Sequence, residues 1–291
     1  MNFRSGLVTI LISLISFNAF SQSVSRIETD STKVQTKREP LPITANYLGM
    51  FYGPVVTEPG NHAIPDTTIG ASSGTYVRSN LSLDYIFNPQ WSVGAVADFD
   101  YNLTDPNSGG ASVGYAARDY YIAGRHTNAY TERFGGGHVF NLNADTRYYA
   151  PTSRSSWRKH SLGAVRLTLD PSIQFANSRW SFSTRLYSKH FIQTRSRSET
   201  GDLLNIAELY VSPQLNYNFS DKISAFFLAE AVTLVKADLS IGDPTQHLVD
   251  VQPGMNFQLG KSFVLTPYLS WFTELPVKTT TANLNAAVTL F

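Results

Sequence analysis

The chain has 291 residues, of which 42% are hydrophobic, 13% aromatic and only 15% charged, and its formal net charge is +1. Soluble domains carry about 25% charged residues, so charge is scarce here and aromatic residues are plentiful. A net charge this close to zero argues against nucleic acid as the default partner. The chain has no cysteine, which excludes disulfides, thiolate metal sites and a lipidated cysteine.

The first residues have the parts of a secretory signal peptide. A positive charge at Arg4 precedes an apolar run over 7–17, and small residues follow from Ala19. The run is too short to cross a bilayer of about 30 Å as a helix. We therefore expect a cleaved signal peptide at 1–21. Residues 22–43 are rich in charged and hydroxyl side chains without an apolar period, which predicts a flexible periplasmic tail.

From residue 44 onward the apolar residues recur with a period of two, which is typical of strands with one apolar and one polar face. In the second strand, Leu81, Leu83 and Tyr85 alternate with Ser82 and Asp84. The pattern predicts a single domain over 44–291 made of twelve strands in a meander. The expected strands are 46–57, 77–87, 93–101, 118–127, 138–150, 165–175, 180–187, 204–219, 223–237, 247–259, 262–274 and 281–291.

Three features depart from this regular pattern. Residues 128–137 predict a longer turn between the fourth and fifth strands. The ninth strand is apolar on both parities over 225–230, which suits an inward-packed strand but also fits a piece of helix. Proline removes a hydrogen-bond donor from a sheet, so we expect bulges or bends where prolines fall inside strands. These prolines are Pro171, Pro213, Pro253 and Pro267.

The short connections carry aromatic residues at the ends of their strands. Phe87-Asn-Pro-Gln-Trp91 is one such hairpin turn, and similar turns lie at 175–180, 219–223 and 257–263. Short turns on one side, longer polar loops on the other and aromatics at the strand ends are the pattern of a transmembrane β-barrel. We expect a periplasmic aromatic girdle made of Phe87, Trp91, Phe175, Trp180, Phe219, Phe263 and Phe291.

Together these features resemble the bacterial outer-membrane β-barrel proteins, an architectural class, over 44–291. The resemblance implies an all-β, antiparallel up-and-down barrel of about twelve strands, closed because lipid offers no hydrogen bonds to a free sheet edge. It also implies an integral place in the outer membrane and insertion by the barrel-assembly machinery. The last strand departs from the class, because its apolar face ends at Leu290 and Phe291 has the other parity.

The charges are unevenly distributed along the chain. Between Arg147 and Arg197 lie ten basic residues and one acid, Asp170, whereas 44–119 and 198–274 are mainly acidic. Sequence neighbours are ring neighbours in a meander, so this pattern predicts a basic wall facing an acidic wall across the lumen. The residues expected to line the pore are Arg78, Asp84, Asp98, Asp100, Arg147, Arg166, Arg185, Glu208, Glu230 and Asp250.

We interpret such a lumen as a channel for passive diffusion of small polar or charged solutes, because opposed charges orient dipolar solutes and attract ions. Arg166 and Arg185 are expected to face the acids Asp98, Asp100, Glu208 and Asp250. The alternative is a closed structural barrel whose inward charges pair and seal it. Twelve strands lie between about eight, which leave a filled interior, and about sixteen, which leave an open pore. The aromatics expected to narrow the lumen are Tyr187, Tyr210, Phe226 and Tyr268.

A basic cluster is expected at the extracellular, long-loop rim. Arginine and tryptophan suit phosphate and sugar groups, so this rim predicts contact with outer-membrane lipid and lipopolysaccharide. The alternative is a solvated loop whose charges serve solubility. The cluster consists of Arg154, Trp157, Arg158, Lys159, Lys189, Arg195 and Arg197.

An outer-membrane lipid hydrolase is the third interpretation. Its candidate histidines are His126, His138, His160 and His190, with Ser161 and Ser188 as the nearby serines. No segment matches a nucleophile elbow or a metal-ligand spacing. We therefore expect no catalytic residue, no metal and no cofactor. The identity of the solute and the oligomeric state are left open by the sequence.

Overall fold

The chain forms a closed antiparallel β-barrel. A computed structural model describes residues 42–56, 75–103, 114–199, 201–237, 246–273 and 280–291. The signal peptide expected at 1–21 and all but the end of the tail expected at 22–43 lie outside these residues.

The strands are β1 (Ile43–Val55), β2 (Tyr76–Ile86), β3 (Trp91–Asn102), β4 (Gly114–Ala117), β5 (Tyr121–Phe134), β6 (His138–Tyr149), β7 (Ser161–Gln174), β8 (Trp180–Gln193), β9 (Asn205–Asn218), β10 (Ile223–Lys236), β11 (Gln246–Gln258), β12 (Phe263–Phe272) and β13 (Thr281–Thr289). A 3-10 turn lies at Gly135–Gly137, and a helix, α1, at Arg154–Arg158.

The ring closes because its first and last strands pair. β13 pairs with β1 from Thr289 opposite Asn46 to Thr281 opposite Val55. Every other connection joins strands that follow one another in the chain, except at β4. This short strand pairs with the last residues of β3, while β5 pairs with the first residues of β3. β4 and β5 therefore share one place in the ring, and the predicted twelve-stranded barrel is confirmed.

On most strands the polar face points inward and the apolar face points outward, whereas β10 is apolar on both faces and places Phe226 and Leu228 inside. Leu83 and Ile122 leave 54% and 57% of their surfaces exposed on the outside. In contrast, the polar side chains of Asp145 and Thr168 are fully buried inside the barrel. This inversion suits a wall whose outside meets hydrocarbon rather than water. No helix among the described residues has the length and apolar character needed to cross a membrane.

The turn expected at 128–137 is much shorter in the structure. β5 continues to Phe134 and only the three residues Gly135–Gly137 reverse the chain. The strand pairing shifts between His126 and Tyr130, and Asn128 has a left-handed backbone with φ of 53°. This shift is a β-bulge. Polar residues after the bulge continue the strand on an exposed hairpin, which is why their composition suggested a loop.

The bulges expected at the four strand prolines do not occur. The register stays constant across Pro171 between β7 and β8, and across Pro213 between β9 and β10. It is likewise constant across Pro253 and Pro267 in the β11–β12 pairing. At each proline, the pairing with one of the two neighbouring strands lacks two consecutive residue pairs and then continues in the same register. A missing donor therefore costs local hydrogen bonds here without inserting an extra residue.

Candidate functional site

A cavity of about 1000 Å³ lies inside the barrel. Pro89, in the turn between β2 and β3, is one of its lining residues, so the cavity reaches the end of the barrel that carries the short turns. On β6 to β9 its lining stops at Asn143, Asp170, Arg185 and Tyr210. The cavity is therefore open near the short turns and along β12, β13, β1 and β2, where its lining continues to Phe272, Thr281 and Tyr76. Around the far ends of β6 to β9 side chains fill the interior, and we call this part the filled half.

The filled half contains a cluster that we call the tyrosine–arginine layer, formed by Tyr121, Arg147, Tyr149, Arg166 and Tyr187. The Arg147 guanidinium lies 4.9 Å from the centre of the Tyr121 ring, and that of Arg166 lies 4.0 Å from the centre of the Tyr187 ring. Such cation–π contacts between desolvated groups are worth about 2 kcal/mol. The layer is therefore a packed cluster on the inner side of β5 to β8.

The inward arginines form ion pairs with nearby acids. Arg147 Nη2 lies 2.8 Å from Asp145 Oδ2, two residues away on the same strand. Arg185 Nε donates to Asp170 Oδ1 on the adjacent strand at 2.8 Å. Arg78 Nε donates to Asp100 Oδ1 at 3.0 Å, again across one strand pair. Each of these three pairs joins groups on one strand or on adjacent strands, and none of the three crosses the lumen.

A further ion pair joins two strands that are not adjacent. Arg125 on β5 donates to Asp84 on β2, over the top of β3. Gly94 lies on β3 beneath this pair, and a side chain there would overlap both the Asp84 carboxylate and Arg125 Nη1. The bare backbone of Gly94 therefore makes room for the pair, which we call the Asp84–Arg125 clasp.

Alanine at Gly94 is expected to lower the free energy of unfolding by about 1–3 kcal/mol, because its methyl group displaces a buried charged hydrogen bond. Gly124→Ala is the matched control: a Cβ there meets no atom within 4 Å, so a change of less than about 0.5 kcal/mol is expected. Urea unfolding of the purified barrel in lipid vesicles gives both values. Equal stability of the two variants would contradict the clasp.

All ten residues expected to line the pore lie on the described strands, but they divide between the two halves. Arg78, Arg185, Glu230 and Asp250 line the cavity. The pairing of strands places Arg166 beside Arg147, and Lys189 between Arg166 and Glu208, in the filled half. Three further acids also form ion pairs. Asp84 pairs with Arg125 of β5, and Asp100 pairs with Arg78 of β2. Asp98 and Asp100 both pair with Arg118, in the link before β5.

Three inward acids have hydroxyl or amide partners instead of arginine. Glu208 accepts a hydrogen bond from Tyr187, and Glu230 accepts one from Tyr210. Asp250 accepts from Gln252 at 2.7 Å and from Ser270 at 2.8 Å. Glu230 and Asp250 lie directly opposite each other on β10 and β11. Among the described residues, these two neighbouring carboxylates on the wall of the cavity thus have no ion pair.

Several residues of this interior were not among the expected pore residues. Asp145, Arg118, Arg125 and the stacked rings of Tyr52 and Tyr76 all lie inside the barrel. Asp145 and Arg147 are two residues apart and therefore share a face, so strand parity alone could have paired them. Arg118 lies in the link between β4 and β5, and Arg125 lies on β5; both fall in the strand expected at 118–127.

The rim residues lie at the end of the barrel opposite the short turns. Helix α1 carries Arg154, Trp157 and Arg158, and Trp157 is 68% exposed. Asp119 fixes the helix by accepting hydrogen bonds from Ser153 N and Ser156 Oγ. Lys159 follows the helix and is exposed, while Arg195 lies 3.2 Å from His160 Nε2 and Arg197 donates to Gly201 O at 2.8 Å.

Lys189 does not belong to this rim. Its ammonium lies inside the barrel, 4.3 Å from the centre of the Tyr149 ring. Position 189 is on the inward parity of β8, which extends six residues beyond the strand end expected at 187. Of the expected rim cluster, Lys189 is therefore the residue that lies inside, against the tyrosine–arginine layer.

The aromatic residues expected in the girdle lie at the short-turn end. Phe87 N donates to Trp91 O at 3.0 Å and Phe175 N to Trp180 O at 3.4 Å, so these residues close their hairpins. Phe219 and Phe263 close two further hairpins in the same way. Phe291 follows β13, and its carbonyl accepts a hydrogen bond from Ala45 N at 3.2 Å.

One histidine and one serine meet on the outer face. Ser188 Oγ lies 2.8 Å from His190 Nε2. The residues opposite them on β7 and β9 are apolar: Val165, Leu167, Ala207 and Leu209. No acid or amide on these adjoining strands is placed to orient the histidine, as a hydrolytic triad requires. Among the described residues no group of three His, Asp or Glu side chains is arranged for a metal ion.

Solved structures share this fold. The crystal structure of an outer membrane channel from Pseudomonas putida F1 aligns with 90% of this chain and all of its own, with a TM-score of 0.54 and 12% identity. The chain folds as an outer-membrane β-barrel. The KdgM porin in complex with disordered oligogalacturonate (TM-score 0.47, 9% identity, 85% of this chain and 99% of that one) and the NanC porin (0.48, 7%, 84% and 98%) are more distant. No protein-family model and no curated protein matches the chain.

Proposed function

We propose that this barrel is a narrow channel of the outer membrane for passive diffusion of small polar solutes. The observation that carries the proposal is the cavity of about 1000 Å³, which reaches the short-turn end and whose lining combines polar with apolar side chains. A structural barrel of this size has no need of a water-accessible interior. The tyrosine–arginine layer is then the constriction that limits the size of what passes.

The second candidate function is a closed barrel that binds lipopolysaccharide. It is favoured by the buried ion pair of Arg147 with Asp145 in the filled half, and by the exposed Trp157 beside two arginines of α1. Arginine is suited to phosphate because its planar guanidinium donates two parallel hydrogen bonds. In this proposal the barrel binds lipid at its rim and conducts nothing.

Single-channel recording in planar bilayers distinguishes the two. The purified barrel is expected to give discrete conductance steps, and Tyr149→Ala to enlarge them by about twofold, since removing a ring widens a narrow pore. Tyr149 is 8% exposed within the layer, whereas Tyr148, on the next position, is 45% exposed on the outside.

Tyr148→Ala is therefore the matched control, and its steps are expected to equal those of the unaltered barrel. Absence of steps in both the unaltered barrel and Tyr149→Ala would contradict the channel and support the closed barrel.

A further inference from the structure

We infer that the cavity selects uncharged, hydroxyl-rich solutes of saccharide size over anions. The inference rests on the proposed channel and names its substrate class. A volume of about 1000 Å³ is at the upper end of the ~300–1,000 Å³ of small-molecule sites. It therefore has room for more than one sugar ring.

The polar lining consists mainly of carboxamides and hydroxyls. Asn216, Gln214, Gln252, Asn256 and Asn285 are among them. A carboxamide both donates and accepts hydrogen bonds, as does each hydroxyl of a sugar, so the two surfaces match without any charge.

The charges of the lining disfavour anions. Arginine is the side chain best suited to a carboxylate, but both arginines of the cavity are already engaged. Arg185 binds Asp170 and Arg78 binds Asp100. The lining acids that have no ion pair in the described structure, Glu230 and Asp250, repel an anion and accept hydrogen bonds from a hydroxyl.

An aromatic wall completes the cavity. Phe226 and Tyr268 line it from β10 and β12, on either side of Gly254 in β11. A Cβ at Gly254 would overlap the Phe226 ring and lie 2.7 Å from Tyr268 Cβ. The glycine thus lets the Phe226 ring lie close against the wall. A ring held in this way offers an apolar surface to the C–H face of a pyranose, as aromatic faces do for other apolar groups.

Isothermal titration calorimetry of the folded barrel, in a detergent without a sugar headgroup at pH 7, tests the inference with three trisaccharides of similar size. They are neutral maltotriose, anionic trigalacturonic acid and cationic chitosan trimer. Maltotriose is expected to bind at least about tenfold more tightly than trigalacturonic acid, a difference of about 1.4 kcal/mol. Equal or tighter binding of trigalacturonic acid than of maltotriose, tighter binding of trigalacturonic acid than of the cationic trimer, or no binding of maltotriose would each overturn the inference.

Adjacent phenylalanines on opposite faces of β10 give the matched variants. Phe226→Ala is expected to weaken maltotriose binding about tenfold, whereas Phe227→Ala, at a ring 52% exposed on the outside, is expected to leave it unchanged. Equal losses in both variants would contradict a site in the cavity. Saccharide binding without conductance would overturn the proposed channel and support the saccharide as ligand. Conductance without saccharide binding would support the channel and overturn the saccharide as ligand.

Discussion

Asparagine in place of Asp170 is expected to lower the free energy of unfolding by about 3 kcal/mol, because breaking one side of a buried ion pair leaves an uncompensated charge. Asp170 accepts hydrogen bonds from Arg185 Nε at 2.8 Å and Nη2 at 3.5 Å. The side chains of Asp170 and Arg185 are 11% and 26% exposed. The exposure of Arg185 toward the cavity places the loss at the lower end of the range of about 3–5 kcal/mol.

Two controls separate the loss of the ion pair from the loss of a charge. Asp221→Asn removes an exposed carboxylate from the turn between β9 and β10 and is expected to change stability by less than about 0.5 kcal/mol. Asp170→Asn combined with Arg185→Met removes both charges and is expected to recover most of the stability. Urea titration of the vesicle-embedded barrel by tryptophan fluorescence measures all three. A single variant as stable as the unaltered barrel would show that the pair contributes nothing.

The same Asp170→Asn variant has an electrical signature. Its unpaired Arg185 charge faces the cavity, so the reversal potential in a potassium chloride gradient is expected to shift toward chloride. The double variant with Arg185→Met lacks that charge and should not show the shift. A shift of equal size in both variants would assign the effect to altered pore shape rather than to charge.

Arginine at Val211 is expected to cost about 2–4 kcal/mol, the range for a cation on the lipid face near the bilayer midplane of a β-barrel. Val211 is 46% exposed on the outside of β9. Six residues separate it from Tyr217, whose ring packs on Trp180 in the girdle. At a rise of about 3.3 Å per residue and a tilt near 40°, Val211 lies about 15 Å above the girdle.

Gln214→Arg on the same strand is the matched control. Gln214 lines the cavity, where water solvates a cation, so a cost below about 1 kcal/mol is expected. The two free energies of unfolding, measured by urea titration in vesicles, test the assignment of the inner and outer faces. A larger loss for Gln214→Arg than for Val211→Arg would contradict it.

The sequence predicted the wall of the barrel well because the wall obeys a strict period. Leu81 and Leu83 must face hydrocarbon, and Ser82 and Asp84 must not. In a regular strand the alternation therefore shows which side chains point outward and which point inward. The period fails where the strand is irregular. Arg118 and Arg125 lie where β4 and β5 together fill one place in the ring, and the exposed hairpin after Asn128 has polar residues on both faces. Alternation could assign neither region.

The arrangement of charges inside the ring was less predictable. Chain order places Arg147, Arg166 and Arg185 on one wall, but it does not show which acid each one meets. Asp170 was the only acid in that basic stretch and forms the pair with Arg185. Asp145 lies just before the stretch and pairs with Arg147. Local pairing prevails because two groups on one strand or on adjacent strands meet without crossing water.

Local pairing also determines how the ring responds to thermal motion. Arg147 and Asp145 move together with β6, and Arg185 and Asp170 move together with two hydrogen-bonded strands. When the ring widens or flattens, the distances across the lumen change while these short distances stay the same. Separation of charge therefore adds little to the energy of such a deformation. Widening or flattening of the ring would therefore leave these two ion pairs intact.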